Sequence, residues 1–206
     1  MMNKSSLILF LFCPLLLIAQ EQDFQQWSKI GVSYDLNKDL SVSLDQAFRF
    51  RENASLADVT FSNLSLKYDL IKKWSVAIGY RYITDFNLSQ NTSISHRIYT
   101  DINYSKKKKR WRIKNRLRYQ YQEENFTLRD KIFLKYNIRK TPLEPFTTFE
   151  VFFKDSEFKK WRYTFGVSHP FLKEFDIDAF YRLQQLFNTN IPKQLHILGF
   201  AIEYKF

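Results

Sequence analysis

From residue 30 onward the chain alternates. Apolar and polar side chains trade places every second residue through segment after segment, and no stretch sustains the 3.6-residue apolar period of an amphipathic helix. In residues 40–51, Leu40, Val42, Leu44, Phe48 and Phe50 take one phase, while Ser41, Ser43, Asp45, Ala47, Arg49 and Arg51 take the other. Successive side chains of a β-strand point to opposite faces, so such a segment carries one apolar and one polar face. Residues 74–82 and 111–122 repeat the pattern, with Arg or Lys recurring on the polar phase. It continues through 30–36, 64–70, 94–104, 126–138, 161–167, 175–183 and 195–206, and more weakly through 146–154. Eleven strand candidates result.

Two architectures produce such alternation. A soluble sandwich buries one face of each sheet, but its strands are typically only about five or six residues long. A transmembrane barrel turns the apolar face to lipid and the polar face to a wet interior, and needs strands of roughly ten residues. Many of the segments here reach that length. The chain is 18% aromatic and carries a net charge of +11, an odd pairing for a compact soluble domain and a natural one for a barrel wall. Tyr and Trp gather towards the ends of the apolar faces, as aromatic girdles require. The last residues alternate to the end, with Ile202, Tyr204 and Phe206 on one phase. A terminal strand closing on Phe resembles the signal read by the barrel-insertion machinery. The only four glycines, Gly31, Gly79, Gly166 and Gly199, all fall inside strand candidates on the polar phase, where a missing side chain lets a curved wall bend tighter.

The expected fold is therefore all-β, an antiparallel up-and-down transmembrane barrel. Bacterial barrels normally have an even number of strands, so the expectation is about twelve strands, with ten as the alternative. Short connections at 37–39, 71–73, 106–110, 141–142 and 169–170 roughly alternate with longer ones at 52–58, 83–93 and 187–194, as periplasmic turns and surface loops do.

The first residues read as a targeting segment. Residues 1–4 are short and basic, and 7–18 form an unbroken apolar run too short to span a bilayer as a helix. Cleavage is expected near Ala19 or Gln20, leaving residues 20–206 as one barrel domain exported to the outer membrane of a Gram-negative bacterium. The one cysteine, Cys13, lies inside the apolar run, so the processed chain has no thiol chemistry.

The most distinctive candidate residues are the arginines on the polar phase: Arg49, Arg51, Arg81, Arg97, Arg112, Arg116, Arg118, Arg129, Arg162 and Arg182. Glu150 and the acids Asp45, Asp69, Asp101, Asp176, Asp178 and Glu203 share that phase. Such a set fits either a lumen plugged by Arg–carboxylate pairs or a narrow pore favouring anions, since basic linings select for them. The basic run 106–110 falls between two strands and reads as a solvated turn that can touch anionic headgroups. No nucleic-acid motif accompanies it, so nucleic acid is not an expected partner. His96 and His196 sit on the apolar phase near strand ends. A Ser–His dyad of a rim enzyme acting on lipid or peptide would have to join different strands, because neighbours on one strand point oppositely. No metal-ligand spacing, phosphate loop or nucleophile elbow is present, so no catalytic residue, metal or cofactor is assigned. Expected partners are outer-membrane lipids, lipopolysaccharide and, during insertion, the barrel-assembly machinery, around a monomer. The competing readings are the rim enzyme and a soluble periplasmic sandwich or lipocalin-like binder.

Several short motifs in order carry a family likeness: the segment ending at Ala19-Gln20, the early Trp27, Arg49-Phe50-Arg51, Gly79-Tyr80-Arg81-Tyr82, Arg116-Leu117-Arg118-Tyr119 and Phe149-Glu150-Val151-Phe152. On these the chain resembles an uncharacterised "domain of unknown function" family of outer-membrane barrels common in Bacteroidetes. The resemblance covers nearly all of the chain after its first segment. It implies a barrel and its location, and brings no catalytic residues.

Overall fold

The computed structural model describes residues 21–172, 174–188 and 193–206; the expected targeting segment with Cys13 lies outside the described residues, as does part of the 187–194 connection. Eleven strands follow one another: β1 (Glu21–Asp35), β2 (Leu40–Arg51), β3 (Leu56–Ile71), β4 (Trp74–Phe86), β5 (Thr92–Lys108), β6 (Trp111–Gln122), β7 (Asn125–Tyr136), β8 (Glu144–Lys154), β9 (Glu157–Pro170), β10 (Phe175–Leu186) and β11 (Lys193–Lys205). Each pairs antiparallel with the next, and the sheet closes into a barrel where β11 lies beside β1. Closure leaves no edge strand unpaired. It also gives the two phases of the sequence opposite fates, one facing the interior and one facing out.

The eleven strands are those read from the alternation; the weakest candidate, 146–154, is the core of β8. The even count of twelve, or ten, does not hold. With eleven antiparallel steps the first and last strands run the same way, so the seam is parallel, in register from Glu21↔Lys193 to Ser33↔Lys205. Parallel ladders are slightly weaker per residue, and here charges straddle the join. Lys193 Nζ lies 2.9 Å from Glu21, Lys205 Nζ 3.2 Å from Asp35, and Lys29 bonds Glu203. The Phe206 amide closes the seam by donating to the Ser33 carbonyl at 2.9 Å. An odd count also sets the two ends of the barrel apart. Glu21 lies at one rim, called here the N-terminal rim, and Phe206 at the opposite, C-terminal rim.

The expected alternation of short and long connections is absent. Strands absorb many of the residues read as loop: the 83–93 segment shrinks to residues 87–91, because β4 continues to Phe86 and β5 begins at Thr92. The longest connection, 137–143, lies at the C-terminal rim, where only short turns were expected. Glycine takes no part in these turns. Positive φ falls instead on residues such as Glu123 and Glu124, or Asp155 and Ser156, which form two-residue hairpins. Glycines serve the wall. Gly166 is paired on one side with Phe146 and on the other with Phe180. A Cβ there would stand 2.5 Å from the Ala179 carbonyl oxygen and 2.7 Å from both Phe side chains.

Candidate functional site

Burial is inverted relative to a soluble domain. Among the described residues, sixteen polar or charged side chains are buried against ten apolar ones, while Ile30, Leu44, Leu64, Ile78, Ile98, Ile102, Ile132 and many other large apolar side chains are exposed. The interior is therefore where the polar chemistry lies. It holds a cavity of about 1680 Å³ whose lining runs from Lys38, Asp39, Lys72 and Lys73 at the C-terminal rim to Glu123, Lys154, Lys159 and Asn188 at the N-terminal rim.

At the N-terminal rim the cavity is off-centre. Two inward apolar clusters fill the side beside the seam and β2–β4: Trp27 with Leu195, Ile197 and Leu186, and Ala47 with Phe61, Ile83 and Val59. These residues share a phase with the polar lining, so alternation alone did not mark them. Their signal in the sequence is an apolar residue out of step, as with Trp27 between Gln25 and Lys29. The open path runs past β6–β10 instead.

Of the candidate residues, Arg49, Arg81, Arg97, Arg112, Arg116, Arg118, Arg129, Glu150, Arg162 and Arg182 line this cavity. Arg51 does not. It sits at the N-terminal rim, where it donates to the Phe86 carbonyl at 2.6 Å and faces Asp58 at 3.4 Å.

Two carboxylates organise the middle of the lumen. Asp101 on β5 takes a bidentate pair of bonds from Arg118 on β6, at 2.6 and 2.7 Å, a geometry set by their being direct cross-strand neighbours. Glu150 on β8 gathers three guanidinium groups: Arg116 at 2.8 Å, Arg129 at 2.7 Å and Arg162 at 3.7 Å. Three of the remaining arginines have neutral hydrogen-bond partners. Arg97 donates to Gln122, Arg182 to Thr164 at 2.8 Å and Arg81 to Asn63 at 3.2 Å. Arg49 lies over Trp27 at 3.9 Å, and Arg49 and Arg81 both face Phe61. Aromatic rings thus support guanidiniums that no carboxylate neutralises. Around the cavity as a whole, twenty Lys and Arg side chains face nine Asp and Glu, so its lining is net positive.

The outward histidines are not paired with serine. His96 Nδ1 meets the Tyr80 hydroxyl at 2.6 Å and His196 Nδ1 the Tyr181 hydroxyl at 2.5 Å. Among the described residues no group of three His, Cys, Asp or Glu side chains is placed to hold a metal ion.

No curated protein matches the chain. Residues 24–195, from β1 into β11, match a family described as protein of unknown function (DUF2490), and this β-barrel chain belongs to that family.

Proposed function

We propose that this barrel resides in an outer membrane and passes small anions through its arginine-lined lumen. The observation that carries the reading is the single rim-to-rim cavity with twenty cationic and nine anionic side chains around it. Basic linings of this kind select for anions, and arginines held by neutral or aromatic partners stay free to meet a passing one. A volume of about 1680 Å³ spread over the roughly 30 Å of an apolar core corresponds to a mean cross-section of about 55 Å², room for a hydrated chloride or a phosphate.

The outer surface supports the membrane half of the reading. Exposed Ile, Leu and Val side chains recur along the outward phase, with polar side chains such as Gln46, Ser62, Asn115 and Asp130 among them. Aromatic pairs lie towards both ends: Trp74–Tyr104, Trp111–Tyr136 and Phe175–Tyr204 at the C-terminal rim, and Tyr121–Phe126 and Phe153–Phe158 at the other. Two aromatic belts around an apolar band are what a bilayer selects. Even the shortest strand, β8 with 11 residues, is ~36 Å long at ~3.3 Å per residue, enough to cross when tilted. Export by the first residues, insertion by the assembly machinery through the Phe206 end, and contact with lipopolysaccharide belong to the same reading, with the monomer as the working unit.

The test is single-channel recording of the refolded protein in a planar bilayer, with the reversal potential taken under a salt gradient. Anion-selective steps are expected, with selectivity reduced in R97Q/R182Q. Silence from a folded, heat-modifiable barrel would mean that the side chains close the lumen and that the barrel is structural.

A further inference from the structure

The lumen arginines are unevenly neutralised. Asp101 and Glu150 take their salt bridges from Arg118, Arg116, Arg129 and Arg162, whereas Arg49, Arg81, Arg97 and Arg182 make none among the described residues. Arg81 and Arg97 are direct cross-strand partners, and like charges placed so repel. Three guanidinium groups converge on one ring. The guanidinium carbon of Arg49 lies 3.9 Å from the centroid of Trp27, and those of Arg162 and Arg182 each lie 5.1 Å from it, so neither can be more than about 9 Å from Arg49. Arg49 comes from β2, Arg162 from β9 and Arg182 from β10. Only closure of the sheet through the β1–β11 seam brings them together.

The ring and the forks around it are held in place. The Trp27 indole N–H donates to Gln25 at 3.0 Å, Gln25 donates to Asp23 at 2.8 Å, and the ring packs with Leu195 and Ile197. Arg162 is tethered through Nε to Gln184, and Arg182 through Nε to Thr164 at 2.8 Å. A tether at Nε fixes the direction of a guanidinium and leaves its two Nη groups for another acceptor. Glu150 engages only one of these, Nη1 of Arg162, at 3.7 Å. All three arginines line the open lumen.

We infer that Arg49, Arg162 and Arg182, gathered around Trp27, form a binding site for a phosphate group. Planar guanidinium forks match the edge of an oxyanion through charge-assisted bonds of about 2.8 Å. A chloride offers three forks a single point, and a carboxylate offers them two oxygens. A tetrahedral dianion offers an oxygen to each, and its charge answers cations that otherwise repel. This deepens the proposed passage of anions, on which it rests, by naming a class of solute and the place where it pauses.

Binding is measurable without conduction. The refolded, heat-modifiable protein in detergent micelles is dialysed to equilibrium against radiolabelled inorganic phosphate in about 0.1 M chloride. One saturable site is expected. R49Q and R182Q should each weaken it about tenfold, the loss of one charge-assisted contact. K106Q, which removes a charge outside the cavity lining, should leave it unchanged. Where the Gln variants do not refold, R49K and R182K serve, and should also weaken binding because lysine keeps the charge without the fork. Absence of saturable binding in the wild type, wild-type affinity in the arginine variants, or an equal loss in K106Q overturns the inference and leaves only a diffuse positive field. Glycerol phosphate that displaces the label as well as free phosphate does assigns the site to phosphoryl groups in general; failure to displace it assigns the site to the free ion. Saturable binding by a barrel that is silent in planar bilayers upholds the site and overturns the passage of anions. Anion-selective currents without phosphate binding do the reverse.

Discussion

Replacing Glu150 by Gln removes one of the two negative charges around which the middle of the barrel is organised, the one that gathers three arginines. Its Oε1 accepts from Arg116 Nη2 at 2.8 Å and from Arg129 through Nη2 at 2.7 Å and Nε at 3.1 Å, while Oε2 faces Arg162 at 3.7 Å. The carboxylate is 6% exposed. Gln keeps the volume and one acceptor oxygen, but places an amide donor where a carboxylate met guanidinium groups. The nearest alternative carboxylate in this cluster, Asp101, is already taken by Arg118. Removing one partner of a buried ion pair costs about 3–5 kcal/mol. Because the cavity is open to solvent at its rims, the lower end applies, about 3 kcal/mol or roughly a hundredfold in the unfolding equilibrium. Urea unfolding of the refolded barrel in vesicles, followed by tryptophan fluorescence, measures this. The deficit should shrink between ~0.1 M and ~1 M chloride, where the screening length falls from about 10 Å to about 3 Å and anions replace the missing charge. E157Q is the control: Glu157 is 62% exposed and pairs only with Lys159, a pair expected to contribute little. An E150Q barrel that unfolds at the wild-type urea concentration in low salt would refute the claim that this carboxylate holds the arginine layer together.

Three further outcomes follow from the geometry. Gly166→Ala should destabilise by about 1–3 kcal/mol in the same urea assay, because the added methyl meets the Ala179 backbone as well as Phe146 and Phe180. Ile78→Arg, at an exposed outward position paired with Leu66 and Thr100, should cost about 2–4 kcal/mol in vesicles on the membrane reading, as charge on the lipid face of a barrel does. Replacing Glu123-Glu124 by Asn-Gly should stabilise by about 1 kcal/mol, since both positions have positive φ and Asn-Gly is the preferred two-residue hairpin turn; a lower unfolding midpoint in urea would count against that turn geometry.

Much of the wall was legible in the sequence because a strand's side-chain period is a local property. The alternation in 40–51 or 111–122 is enough to say that Arg49 or Arg116 faces away from Leu44 or Leu117. Eleven strands were countable that way, and membership of the DUF2490 family agrees with the resemblance to a domain of unknown function. What alternation cannot say is which strand meets which, since register and closure depend on partners far apart in the chain. Parity reasoning therefore misled: the seam between β1 and β11 joins Lys29 to Glu203, 174 residues apart, and its parallel direction has no local trace. The same holds for the lumen. Composition revealed an excess of Arg, but only the curvature of the closed sheet brings Arg116, Arg129 and Arg162, from three strands, onto one Glu150. It likewise turns Trp27 inward against Leu195 and Ile197 and leaves the open path on the opposite side. Local periodicity determined the two faces; long-range pairing decided what each face encloses, because closing a sheet fixes distances that no short stretch of sequence contains.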